Sequence, residues 1–300
     1  METAGHMPLR GELREQEPMA RHVTWRAGGP ARLWYRPADL EDLRRFLAHL
    51  PEEMPVVWVG LGSNLLVRDG GFPGAVISLQ GALDGMRRLE GARVEAQAGV
   101  SCARLARFCG REGLVGAEFL AGIPGTLGGA LAMNAGAFGG ETWPLVEEVT
   151  TLDRRGNLHC RPPGEYRVGY RQVEGPAEEW FVAAVLRLEP GDAEAAQARI
   201  RELLELRNRS QPIGRPSCGS VFRNPPGEHA ARLIEAAGLK GVARGAARVS
   251  GKHANFIINE GGATAAEIEG LMEEVRARVE ERFAIRLEPE VRIIGEHADG

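Results

Sequence analysis

Three stretches of this 300-residue sequence carry polar side chains that could do chemistry, and they include Arg171, Ser220 and Glu290. Arg171 closes the run Arg167-Val-Gly169-Tyr170-Arg171. A guanidinium there offers a planar fork for a carboxylate or phosphate, and Tyr170 adds a hydroxyl donor. Ser220 follows Gly219 in Pro216-Ser-Cys-Gly219-Ser220-Val-Phe-Arg223-Asn224-Pro225. A serine behind glycine between prolines suits a rigid, exposed turn. Position 222 is Phe, so the G-x-S-x-G elbow of hydrolases is absent. Glu290 belongs to Ile285-Arg-Leu-Glu288-Pro-Glu290-Val-Arg292-Ile, where apolar odd positions alternate with charged even ones. Period two places Glu288 and Glu290 on one face of an expected strand. Each segment also has a plain structural reading: a solvated arginine, a capped turn and a solvated sheet face.

Two further segments offer backbone rather than side chains. Val56-Val-Trp-Val-Gly60-Leu-Gly62-Ser63-Asn64-Leu65 reads as a strand running into a turn whose N–H groups can form an anion nest. The G-x-G-x-x-G fingerprint fails there, because position 65 is Leu and a strand follows. Gly122-Ile-Pro124-Gly125-Thr-Leu-Gly128-Gly129-Ala-Leu-Ala-Met-Asn134-Ala-Gly136-Ala-Phe-Gly139-Gly140 carries seven glycines in 19 residues. Pro124 suits the first turn of a short helix. Small residues let a planar ligand or phosphate lie against the backbone and the helix N-terminus. The plain alternatives are a hairpin turn and a close-packed loop. No G-x-x-x-x-G-K-[ST] exists, so P-loop chemistry is unsupported.

The chain must build elements to position these segments. Ala38 to Leu50 carries apolar residues at helical spacing, with Asp39 as cap. Strands are expected at 55–59, 65–67, 76–79, 93–98, 146–152, 180–188 and 285–294. Ser101 opens a helix to about Arg111, with Leu105 and Phe108 inward. Further helices are expected at 193–207 and 229–237. Thr264-x-x-Glu267 is a capping box ahead of the stripe Ile268, Leu271, Met272, Val275 and Val279. Residues 1–22 read as an irregular lead-in. The order predicts an α+β protein in two parts, 1–204 (with subdomains 1–52 and 53–204) and 205–300.

Composition narrows the rest. Forty glycines are 13% of the chain, about twice the usual share, and ask for a local cause. A net charge of −4 argues against a nucleic-acid footprint. Cys102, Cys109, Cys160 and Cys218 form no C-x-x-C pair, so free thiols and no metal site are expected. The first 20 residues lack an apolar core for a signal peptide. Phe119 to Gly140 is 22 residues without a charge, yet its glycines, Pro124 and Asn134 make a poor membrane helix. A cytoplasmic protein without membrane or nucleic-acid partners is expected.

Taken in order, the five segments, with Thr24-Trp-Arg and Gly251-Lys-His-Ala-Asn-Phe-Ile-Ile-Asn259, resemble one family over nine-tenths of the chain. It is the UDP-N-acetylenolpyruvoylglucosamine reductase family of bacterial cell-wall synthesis, and hence of cell shape and division. The resemblance implies a FAD-binding fold of the vanillyl-alcohol oxidase type followed by an α+β substrate-binding domain. It implies that Gly60, Gly62, Ser63, Asn64 and Leu65, with Gly122, Ile123, Pro124, Gly125, Gly128, Gly129, Asn134, Ala135 and Gly136, cradle FAD. NADPH is the implied hydride donor and an enolpyruvyl UDP-sugar the substrate. Arg171, Ser220 and Glu290 match the catalytic residues; Tyr170 and Asn224 match substrate contacts. A monomer is expected.

There are departures. Val23 precedes Thr24 where the family usually has asparagine, Ser210 stands where lysine is usual, and Cys218 replaces an alanine. The stretch between Arg171 and Ser220 has no room for the tyrosine-bearing loop of long-form members, so the short form is implied. Two alternatives remain at this level: a FAD-dependent alcohol or sugar oxidase, and a non-catalytic nucleotide-binding module. The oxidase has no use for the three side chains together, and the module keeps only the glycine loops.

Overall fold

The computed structural model describes residues 9–298. Its first sheet has the strand order Glu12–Pro18, Pro30–Arg36, Phe72–Ser78, Val56–Val59. The last three run parallel. Ala75, Val76 and Ile77 are fully buried, the continuous apolar run expected of a parallel strand covered on both faces. Helix α1, Leu40–His49, covers one face with Leu43, Phe46 and Leu47. Asp39 caps it by accepting from the Asp42 N–H.

The second sheet is antiparallel, in the order Leu158–Arg161, Val146–Asp153, Glu179–Arg187, Arg93–Gln97, Met86–Arg88. Three helices belong to its layer: α2 (Cys102–Arg111), α3 (Leu127–Met133) and α4 (Ala193–Ser210). Ser101 caps α2 as expected; Leu105 and Cys109 are fully buried, while Phe108 is only half-buried.

The C-terminal part holds α5 (Ala230–Ala236), α6 (Ala265–Phe283) and a small sheet of Ala243–Arg244, Ala247–Val249 and Ile257–Asn259. The Thr264 capping box is formed on both sides, and the predicted stripe of α6 is buried throughout. Trp25 and Leu66 enter this core from the N-terminal part. Trp25 Nε1 donates to the Ile257 carbonyl at 2.7 Å, and Asn259 Nδ2 to the Trp25 carbonyl at 2.9 Å. Asp69 accepts from the Ala265 and Ala266 N–H groups at 2.9 and 2.8 Å, neutralising the first turn of α6. Arg292–Ile294 pairs in parallel with Leu65–Val67. The two parts are therefore joined by a tryptophan, a helix cap and a strand pair.

Four expectations change. The lead-in contains the strand Glu12–Pro18 and a 3-10 turn, Met19–Arg21; its alternation is hidden by charged residues on an edge. Residues 1–8 of that lead-in lie outside the described residues. The expected strand 285–294 is a strand only at Arg292–Ile294. Pro289 lacks an N–H for a ladder, and 288–290 instead bonds to residues 221–223. The subdomain boundary at 52 cuts the first sheet, which takes in strands as far as Ser78. The junction near 205 falls inside α4, which continues to Ser210.

Candidate active site

A cavity of about 510 Å³ lies where the three layers meet, lined by residues 57–65, 122–126, 129–138, 170–171, 211, 218–224, 255–256, 290 and 292 in part. All five sequence segments reach it. Its two walls are built differently.

The first wall is main chain. Gly60, Gly62, Ser63, Asn64, Leu65, Gly122, Ile123, Pro124, Gly125, Gly129, Ala135 and Gly136 all line the cavity. Some of these glycines are dictated by the protein itself. A Cβ at Gly62, which has φ +61°, would overlap the His22 carbonyl. At Gly60 it would strike the Thr126 hydroxyl, and at Gly122 the Phe138 ring. Gly125 and Gly129 differ: neither has positive φ, and a Cβ would meet nothing closer than 3.7 and 3.8 Å. Neither strain nor protein packing calls for glycine at these two positions. Their bareness fits a group lying against the backbone from the cavity side, as a bound flavin or its pyrophosphate would. Pro124 precedes α3 rather than opening it, with Thr126 as N-cap.

Two residues expected to touch the cofactor do not line this cavity. Gly128 is turned onto Ala98 and is absent from the cavity lining. Asn134 is 1% exposed, and its side chain is engaged by Glu141, Gly169 and Trp143. Both satisfy packing that the glycine-rich pattern does not distinguish from ligand contact.

The second wall is side chain. Arg171 sits in the turn between the strands Arg167–Gly169 and Gln172–Glu174, at φ +55°. Its Nε donates to Glu290 Oε1 at 3.1 Å, Nη1 to the Asn134 carbonyl at 3.3 Å and Nη2 to the Gly136 carbonyl at 2.8 Å. Burial pushes the Glu290 carboxyl above its usual range, against the pull of Arg171 and Arg223. Ser220 lines the same cavity after Gly219, whose φ of +79° makes the turn. Asn255 fixes that turn: its Oδ1 accepts from the Phe222 N–H and its Nδ2 donates to the Phe222 carbonyl. The Glu290 N–H in turn donates to the Val221 carbonyl at 2.8 Å. Backbone pairing therefore brings the serine and glutamate segments together.

Tyr170 lines the cavity, with the Arg171 guanidinium 5.0 Å from its ring centroid. Asn224 lies on the rim, where its Oδ1 accepts from the Ala230 N–H of α5. Cys218 is buried, and burial followed by the nearby Glu290 raises its thiol far above the ordinary value. It is a neutral wall group rather than a nucleophile. Glu288 is exposed and, unlike Glu290, does not line the cavity.

Thr126, Met133, Phe138, Gln211, Asn255 and Phe256 also line the cavity. Sequence reasoning did not single these out as site residues. A hint exists for Phe138, which stands between Gly136 and Gly139 in a turn of positive φ, unusual for a bulky residue.

Residues 31–160 match the family model described as FAD binding domain. Together with the glycine-lined wall, this makes the chain a FAD-dependent oxidoreductase. Residues 211–294 match the model of the UDP-N-acetylenolpyruvoylglucosamine reductase C-terminal domain. Proteins named UDP-N-acetylenolpyruvoylglucosamine reductase are similar over nearly the full length. That of Alkalilimnicola ehrlichii is 68% identical, over 95% of this chain and 96% of its own. That of Methylococcus capsulatus is 59% identical, over 96% and 95%. The crystal structure of the Thermus caldophilus reductase superposes with a TM-score of 0.80 at 34% identity, covering 95% of this chain and 98% of that one. The chain belongs to the UDP-N-acetylenolpyruvoylglucosamine reductase family, in its short form.

Proposed function

We propose that this cavity reduces the enolpyruvyl ether of UDP-N-acetylglucosamine enolpyruvate to the lactyl ether of UDP-N-acetylmuramate, a step of peptidoglycan precursor synthesis, with NADPH as reductant. The observation that carries the reading is the convergence of Arg171, Glu290 and Ser220 on one cavity whose other wall is rich in glycine. Bound along that wall, FAD supplies the hydride received from NADPH.

The side chains of the second wall handle the charge and the proton. Hydride addition to the vinyl terminus pushes charge onto the substrate carboxylate. Arg171 is already oriented by Glu290 and two carbonyls, so it can stabilise that charge without reorganising. The adjacent carbon then needs a proton at a fixed position. Ser220, on its glycine turn, donates it from the hydroxyl. Glu290 shares the Arg171 guanidinium, and burial favours its protonated form. Tyr170 and Asn224 contact the sugar nucleotide at the rim. The enzyme works as a cytoplasmic monomer, with the C-terminal part serving as the substrate-binding domain beside a FAD-binding unit.

The test begins with a spectrum. The purified protein should be yellow, and NADPH oxidation should depend on added enolpyruvyl substrate. A colourless protein would sink the flavoenzyme reading; flavin reduced by an alcohol and reoxidised by dioxygen to hydrogen peroxide, with no NADPH consumed, would instead favour an oxidase.

A further inference from the structure

Asn134 ends α3 in the left-handed conformation, at φ 44° and ψ 52°, which asparagine tolerates better than most residues. Its side chain is nearly saturated. Nδ2 donates to Glu141 Oε2 at 3.0 Å and to the Gly169 carbonyl at 3.1 Å, and Oδ1 accepts from the Trp143 N–H at 3.1 Å. Both amide hydrogens are thus used inside the protein. One buried residue therefore ties together the end of α3, the turn after the glycine-rich segment and the strand that leads into Arg171.

The third of these ties matters most. The hairpin of Arg167–Gly169 and Gln172–Glu174 is two-stranded and largely exposed, a structure of marginal stability by itself. Arg171 occupies its turn at a positive φ that a non-glycine residue holds only under constraint. The bond from Asn134 to Gly169 anchors that hairpin to the interior two residues before the arginine. The main-chain carbonyls of Asn134 and Gly136 then accept from Nη1 and Nη2. With Nε on Glu290, three of the five guanidinium N–H groups are engaged, leaving one on each terminal nitrogen for a ligand carboxylate.

We propose that Asn134 is a positioning residue for Arg171 and not a contact of the cofactor. Its side chain sets where the hairpin presents the arginine, and its carbonyl sets which way the guanidinium faces. Glu141 serves the same purpose through Asn134. The proposal rests on the reading that Arg171 stabilises charge on the substrate carboxylate.

The experiment is a double-mutant cycle on the flavin-loaded enzyme. Asn134→Gly keeps the left-handed backbone free of strain and removes all three side-chain bonds. It should retain flavin and an unaltered visible spectrum, while kcat for substrate reduction falls roughly 10- to 100-fold, the scale of a misplacement of about 1 Å. In an Arg171→Ala background the same change should have no further effect, because its only route to the chemistry is then missing. Glu141→Ala, a milder variant, should repeat the pattern with a smaller fall and covers the case in which Asn134→Gly does not fold. Loss of flavin from either variant would make Asn134 a cofactor contact and overturn the proposal. So would equal falls in kcat with and without Arg171, which mark a general structural role. Wild-type turnover by Arg171→Ala alone would instead overturn the reading of Arg171, a result distinct from the other two.

Discussion

The two walls of the cavity solve opposite problems with opposite materials. The wall of residues 57–65 and 122–136 opens its main chain to the cavity at six glycines set among small and apolar residues. The wall of Arg171, Ser220 and Glu290 presents long or polar side chains, each held by backbone pairing behind it. A cofactor that stays in place is best met by a surface that conforms to it. A substrate that must change charge during the reaction is best met by groups already oriented for the product of that change. The difference predicts that damage to the first wall shows in flavin binding or folding, and damage to the second in turnover.

The largest effects should come from the second wall. Arg171→Ala should lower kcat by at least about 10²- to 10³-fold, the range for removing one preorganised charge stabiliser. Ser220→Ala should lower it by roughly 10²- to 10⁴-fold, as expected for loss of a proton donor. Both proteins should remain yellow with near-native melting temperatures. Steady-state NADPH oxidation with substrate is the measurement, and unchanged turnover in Ser220→Ala would refute its role as donor.

Within the first wall the glycines themselves can be divided. Gly62→Ala forces a Cβ against the His22 carbonyl at a left-handed φ. Strain alone costs about 1–3 kcal/mol, so denaturant unfolding of the flavin-free protein should show a loss of at least that size. Gly129→Ala should do the reverse. Gly129 is an exposed position within α3, and replacing glycine by alanine in a helix is worth about 1 kcal/mol of added stability. The flavin-free protein should therefore be slightly more stable while its affinity for FAD falls. A Gly129→Ala protein that binds FAD as tightly as the parent would remove the argument that this glycine is bare for a ligand.

Legibility in the sequence divides along the same line. Asp39, Ser101 and Thr264 announced their helices, because a cap and its N–H partner lie within three residues of each other. The glycine clusters and the three reactive side chains were legible as types in unusual company. Their meeting was not, since Arg171 and Glu290 are 119 residues apart and bond directly, with the guanidinium also held by carbonyls of a third segment. Nor did glycine content alone distinguish Gly129, which faces the cavity, from Gly128, which packs on Ala98. Adjacent residues on a helix point some 100° apart, so one contact can be structural and the next functional. The strand Glu12–Pro18 was missed for the converse reason: an edge strand carries charges where a buried one would show alternation.

The smallest effect concerns Glu290 and separates stability from activity within one residue. Burial raises the pKa of this carboxyl in the folded protein above its unfolded value, despite Arg171. The folded state therefore binds the proton more tightly than the unfolded state does. Below the unfolded pKa both states are protonated and burial of the charge costs nothing. As pH rises from there through the raised folded value, the unfolded chain ionises first, and stability falls by an amount set by the shift. Glu290→Gln cannot ionise and should lose this part of the pH dependence. Its melting temperature should match the parent in acid and exceed it slightly at neutral pH, unless the amide breaks the bond to Arg171. Its turnover should fall at every pH, because a glutamine keeps the shape but neither the charge nor the exchangeable carboxyl proton beside Arg171. Parallel melting curves for parent and variant across that interval would mean that the carboxyl is no more costly to ionise here than in water. The second wall would then be held by geometry alone.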